Sequence, residues 1–86
     1  MNGKAVDLPK PTYPAIAKFA RASGKVTVQV TIDEEGKVIA AHAISGHPLL
    51  MAVSVVAARR SKFTATTLSG TGVRVTGVID YNFVAQ

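Results

Sequence analysis

The stretch from Gly24 to Val38, GKVTVQVTIDEEGKV, constrains the chain more than any other. Val26, Val28, Val30 and Ile32 alternate with Thr27, Gln29 and Thr31, which is the period of a strand with one face in a core and one in water. Asp33-Glu34-Glu35-Gly36 then makes a four-residue connection suited to a type I turn with Gly36 at a left-handed bulge position. A second strand, Lys37 to Ser45, must therefore run antiparallel to the first. Its apolar residues Val38, Ile39, Ala40, Ala41, Ala43 and Ile44 fall on both faces, and the small alanines predict something packed closely over them.

The rest of the chain has to cover this hairpin. At 86 residues it is one domain with a modest core. It contains no cysteine, so neither disulfides nor thiolate metal sites reinforce that core. Residues 1–12, with Pro9 and Pro11 and no hydrophobic period, read as an extended arm or the end of a linker, and residues 13–86 as the folded domain. Tyr13-Pro14 opens a short helix whose apolar stripe is Ile16, Phe19 and Ala20, with Gly24 as its C-cap. His47-Pro48 opens a second helix. Leu50, Val53, Ala57 and the Arg60 stem form one stripe there, and Leu49, Ala52, Val56 and Arg59 a second, so most of that helix is expected to be buried. Thr64 to Gly72 reads as a polar loop. Val73 to Val84 is a last strand, with Val73, Val75, Ile79, Tyr81 and Phe83 inward and Arg74, Thr76, Asp80 and Asn82 outward.

The predicted order is α-β-β-α-β, an α+β fold in which two helices pack on one face of a three-stranded antiparallel sheet. The first strand sits in the centre, which leaves two edges unpaired.

Sites for chemistry are scarce. His42 and His47 lack a third ligand at metal spacing, so no metal is expected. Asp33, Glu34 and Glu35 belong to a turn in water rather than to a cleft, and Ser54, Ser61 and Ser69 lack a base at informative spacing. Ser69-Gly70-Thr71-Gly72 has no lysine or following helix and is no phosphate loop. The chain is expected to be no enzyme, with no catalytic residues, no cofactor and no small-molecule substrate. The net charge is +5. Its ten basic residues are spread over every element, which reads as a solvated surface, and no face joins them to exposed aromatics, so nucleic acid is not an expected partner. No apolar run approaches the roughly 20 residues of a membrane span.

Several motifs, in this order, resemble the C-terminal domain of TonB-family energy transducers over Pro11 to Val84. They are the Tyr-Pro pair of YPAIAKFARASGKVTVQVTIDEEGKV, its Gly-x-Val-x-Val-x-Val strand and acidic turn, the Pro-Leu-Leu helix start of SGHPLLMAVSVVAARRSKF, the basic residues before Phe63, and the closing Tyr81-Asn82-Phe83 of GVRVTGVIDYNF. Ser61 and Ala65 stand where the family often has tryptophan and proline, and Gly77 in the last strand marks a candidate bulge. The resemblance implies the fold just derived and a place in the periplasm, anchored to the inner membrane by a segment not in this chain. It implies two partners, the TonB box of outer-membrane transporters and, through that missing segment, an inner-membrane complex of the ExbB and ExbD type that supplies proton-motive force for uptake of nutrients such as iron chelates. Carried onto this chain, the box adds as a strand beside Arg74, Val75, Thr76, Gly77, Val78, Ile79, Asp80, Tyr81 and Asn82, with Tyr13 and Pro14 close by. The alternative is a TonB- or TolA-like domain used for envelope protein interaction or self-association as a homodimer, because an open edge also pairs with its own copy.

Overall fold

The computed structural model describes residues 4–85. Its elements are β1 (Ala5–Asp7), α1 (Ala15–Phe19), β2 (Gly24–Ile32), β3 (Val38–Ser45), α2 (Pro48–Arg60), β4 (Lys62–Phe63), β5 (Thr66–Leu68), β6 (Thr71–Val73) and β7 (Val75–Phe83). The main sheet has the order β3-β2-β7 and is antiparallel throughout, with β2 in the centre as its hydrophobic alternation demands. Val26, Val28, Val30 and Ile32 are all buried, and Ile79, Tyr81 and Phe83 of β7 join them on the same face. α2 covers β2 and β3, and α1 touches α2, so the expected α+β arrangement holds.

The β2–β3 turn is built from Asp33. Its carboxylate accepts hydrogen bonds from the amides of Glu35 and Lys37, both at 2.9 Å, and the Lys37 amide is the largest influence holding this acid below its usual pKa. Gly36 follows at φ 95°, the left-handed position that the turn requires.

Several details differ from the sequence reading. α1 turns Ala17 into the core, not Ile16 and Phe19, which are 65% and 94% exposed. One turn of helix has too little length to impose a stripe of its own, and its setting follows from Tyr13, whose hydroxyl donates to the Ala22 carbonyl and whose ring meets Phe83 edge-on at 5.4 Å. The helix also ends earlier than Gly24. Ala22 N–H bonds to Ala17 O and Arg21 N–H to Lys18 O, a Schellman closure with Arg21 at φ 56° in the place glycine usually takes.

In α2 the buried stripe is Leu50, Ser54, Ala57 and Ala58, while Ala52, Val56, Arg59 and Arg60 face solvent, so less of the helix is covered than expected. Ser54 is tolerated there because its hydroxyl donates to Leu50 O at 2.8 Å. His47 caps the helix, its Nδ1 accepting from Leu49 N–H at 3.1 Å, and Pro48 takes the first position as read.

The segment from Thr64 to Gly72 is not a loop. β5 and β6 form a hairpin closed by Ser69 and Gly70, both at positive φ (53° and 79°), a two-residue turn of the mirror-image type. The extended arm is tied down within the described residues: β1 pairs antiparallel with β4, and Lys4 and Thr64 exchange backbone and side-chain bonds. β7 runs through Gly77 in unbroken register with β2, so that glycine marks no bulge.

Candidate functional site

β7 is paired along all nine of its residues, from Gly24↔Phe83 to Ile32↔Val75, but, among the described residues, with β2 alone. Its other side is an edge. In an antiparallel ladder every second residue turns its N–H and C=O away from its partner, so a strand paired on one side presents a regular row of donors and acceptors to solvent.

The residues named from sequence divide by face along this edge. Ile79 and Tyr81 are buried and Val75 and Gly77 half-buried, so their side chains serve the core and only their backbone is offered. Thr76, Val78, Asp80 and Asn82 are exposed on the opposite face. Val78 is the apolar member of that row, at 56% exposure. Asp80 is already engaged, accepting a cross-strand hydrogen bond from Thr27 Oγ1 at 2.7 Å.

The two ends of the edge carry different groups. Arg74 lies just before β7, its Nε 3.6 Å from a Glu34 carboxylate oxygen in the β2–β3 turn, with both side chains largely exposed. Tyr13 sits at the opposite end against Phe83, with the Lys18 ammonium 5.8 Å from its ring centre and Pro14 beside it as the N-cap of α1. Nine residues of strand separate them, about 30 Å, so Tyr13 and Arg74 flank the edge rather than share one pocket. Thr27 and Phe83 were missed from sequence. Neither the cross-strand register that sets Thr27 opposite Asp80 nor the tertiary packing that brings Phe83 against Tyr13 has a signal in the sequence of a single strand.

Beneath the edge, the Tyr81 hydroxyl is buried and completes no hydrogen bond. Burial pushes its pKa up, an effect slightly offset by the Ser61 hydroxyl, which itself donates to Ala57 O at 3.0 Å. Because only the neutral phenol suits this site, its contribution is complete below the ordinary tyrosine value of 10.0 and is lost as the pH rises beyond it. Tyr81→Phe is expected to match or exceed the wild type in stability at neutral pH, by up to about 1 kcal/mol, and to lose less of it above pH ~10. Urea midpoints measured on both sides of that pH check this, and parallel pH profiles for the two proteins would contradict it.

Among the described residues no three His, Cys, Asp or Glu side chains gather at metal-binding distance, and no helix is long and apolar enough to cross a membrane. His42 is exposed on β3 and His47 is spent on its cap.

Comparison with known proteins agrees with this architecture. The solution NMR structure of the Pseudomonas aeruginosa TonB CTD superposes with a TM-score of 0.69 at 24% identity, over 95% of this chain and 85% of that one, a likeness of fold. No curated protein matches significantly. The sequence pattern described as "Gram-negative bacterial TonB protein C-terminal" matches residues 9–85, which covers both helices and the whole main sheet, and the chain therefore belongs to the TonB C-terminal domain family.

Proposed function

We propose that this chain is the periplasmic C-terminal domain of a TonB-like energy transducer, a docking domain and not an enzyme, which captures the TonB box of outer-membrane transporters as an added strand beside β7. Force from an inner-membrane, proton-driven complex of the ExbB and ExbD type would reach the transporter through that strand and drive nutrient uptake. The observation that carries the reading is the nine-residue strand paired on one side only. Strand addition is held chiefly by main-chain hydrogen bonds, which tolerate varied guest sequences. At about 1 kcal/mol net for each bond the complex is weak, yet bonds loaded together along the strand resist a pull better than they resist dissociation one at a time. Thr76, Val78, Asp80 and Asn82 supply the side chains that a guest meets, and Tyr13 and Pro14 close one end.

The test is hydrogen exchange followed by NMR during titration with extended peptides from the N-terminal segments of outer-membrane transporters. In the free domain alternate β7 amides are expected to exchange fast. Bound peptide should protect that alternate set while leaving the set paired to β2 unchanged. Unaltered exchange along β7 at millimolar peptide would remove the proposal. Protection that rises with the concentration of the domain alone would instead assign the edge to self-association.

A further inference from the structure

Basic residues that are far apart in the sequence come together at the end of α2. Lys37, Arg59, Arg60 and Lys62, with Val38 and Ser61, line a shallow groove of about 390 Å³. Three acidic residues border this cluster: Glu35, 3.8 Å from Lys37 in a pair about three-quarters exposed, Asp33, whose carboxylate accepts from the Lys37 amide, and Asp7, the register partner of Lys62 across the β1–β4 pairing, so the cations outnumber the acids without being free of them. The helix dipole accounts for Arg59 and Arg60, which sit in the last turn. It does not account for the other two. Lys37 and Lys62 lie directly opposite each other in an antiparallel bridge, an arrangement in which like charges repel. Phe63 N–H bonds to Gly36 O at 3.0 Å and fixes that opposition at the backbone, so the two lysines spring from adjacent points of one surface.

The basic face continues beyond the groove. Arg60 also borders a second, smaller hollow with Lys10 and the half-exposed Val56, so five cations and an apolar side chain follow one surface. This surface is on the β3 side of the sheet, and β7 is on the other side of β2.

We propose that this groove seats the domain on a membrane surface rich in anionic phospholipid. Guanidinium groups pair bidentately with phosphate, juxtaposed cations gain most from a surface that presents many phosphates at once, and Val56 offers an apolar contact at the headgroup boundary. Seated in this way, the domain keeps its β7 edge free, so the two surfaces work together but neither depends on the other.

Flotation with vesicles of phosphatidylcholine, alone or mixed with phosphatidylglycerol, tests the assignment. The wild type is expected to float only with the mixed vesicles, and less so at high salt. The triple variant R59Q/R60Q/K62Q should lose about fivefold in partition per cation, roughly a hundredfold in all. The variant K18Q/R21Q/K25Q removes the same charge from exposed positions on α1, its C-terminal turn and the start of β2, and should lose far less. Equal losses in the two variants would reduce the effect to net charge and overturn the groove as a site. Absence of wild-type flotation, with inorganic phosphate or polyglutamate shifting the groove amides in an NMR titration, would overturn the lipid assignment in favour of a soluble anion or an acidic protein.

Discussion

Gly36→Ala is expected to lower stability by roughly 4 kcal/mol, enough to unfold a substantial fraction of the domain at room temperature. Two costs combine. At φ 95° any residue with a Cβ is strained by about 1–2 kcal/mol. The new Cβ would also land on the carbonyl oxygen of Phe63, and the carbonyl carbons of Phe63 and Thr64 lie only 2.9 and 3.1 Å from it. Those atoms are backbone and have no rotamer to move into. Their retreat would break the bond from Phe63 N–H to Gly36 O and the Lys37↔Lys62 bridge, loosening β4 from the hairpin. Gly70→Ala is the control, since it carries a similar φ of 79° with no atom within 4 Å of the new Cβ. It should show the strain alone, about 1 kcal/mol. Urea unfolding of both variants separates the two costs, and similar midpoints for them would mean that the Phe63 contact is not fixed.

Leu50→Ala should cost about 3 kcal/mol, within the usual range for a fully buried leucine. Leu50 is wholly inaccessible to solvent, and the other buried positions of α2 are Ser54, Ala57 and Ala58. Small residues let the helix approach the sheet closely but bury little area each, so Leu50 is the one large side chain of α2 that is fully buried, with Leu49, Met51, Val53 and Val55 packing on the core from its flanks. Leu49, Met51, Val53 and Val55 pack against the core from half-buried positions, and their partial collapse toward the vacated space keeps the cost at the lower end of that range. Val56→Ala, six residues further along the helix and half exposed, should stay within about 0.5 kcal/mol of the wild type. Equal effects from the two substitutions would contradict the placement of the core stripe.

These two sites illustrate what was legible in the sequence. The alternation of Val26, Val28, Val30 and Ile32 placed the central strand, and Asp33 to Gly36 placed the turn, because long strands and tight turns are written in local pattern. β7 was readable in the same way, and with it the existence of an open edge. Which open edge takes a partner was implied by the family resemblance alone. α1 was misread because five residues make too short a helix for a stripe to decide its orientation. β1, β4, β5 and β6 have two or three residues each and therefore no measurable period. Their pairing depends on what tertiary structure brings alongside. The same holds for the basic groove, since nothing local in Lys37 and Lys62 announces that a backbone bridge sets them face to face.

The docked arm gives the domain two mechanical strengths in series. Tension applied from the N-terminal side meets β1 first, which is held by two register pairs with β4 and by the bonds between Lys4 and Thr64. The sheet behind it is held by the nine-pair ladder between β2 and β7. The shorter ladder should detach at the lower load and release its segment as slack before the sheet bears the pull, so the arm would act as a sacrificial tether that blunts a sudden jerk and spares the surface on which a guest strand would rest.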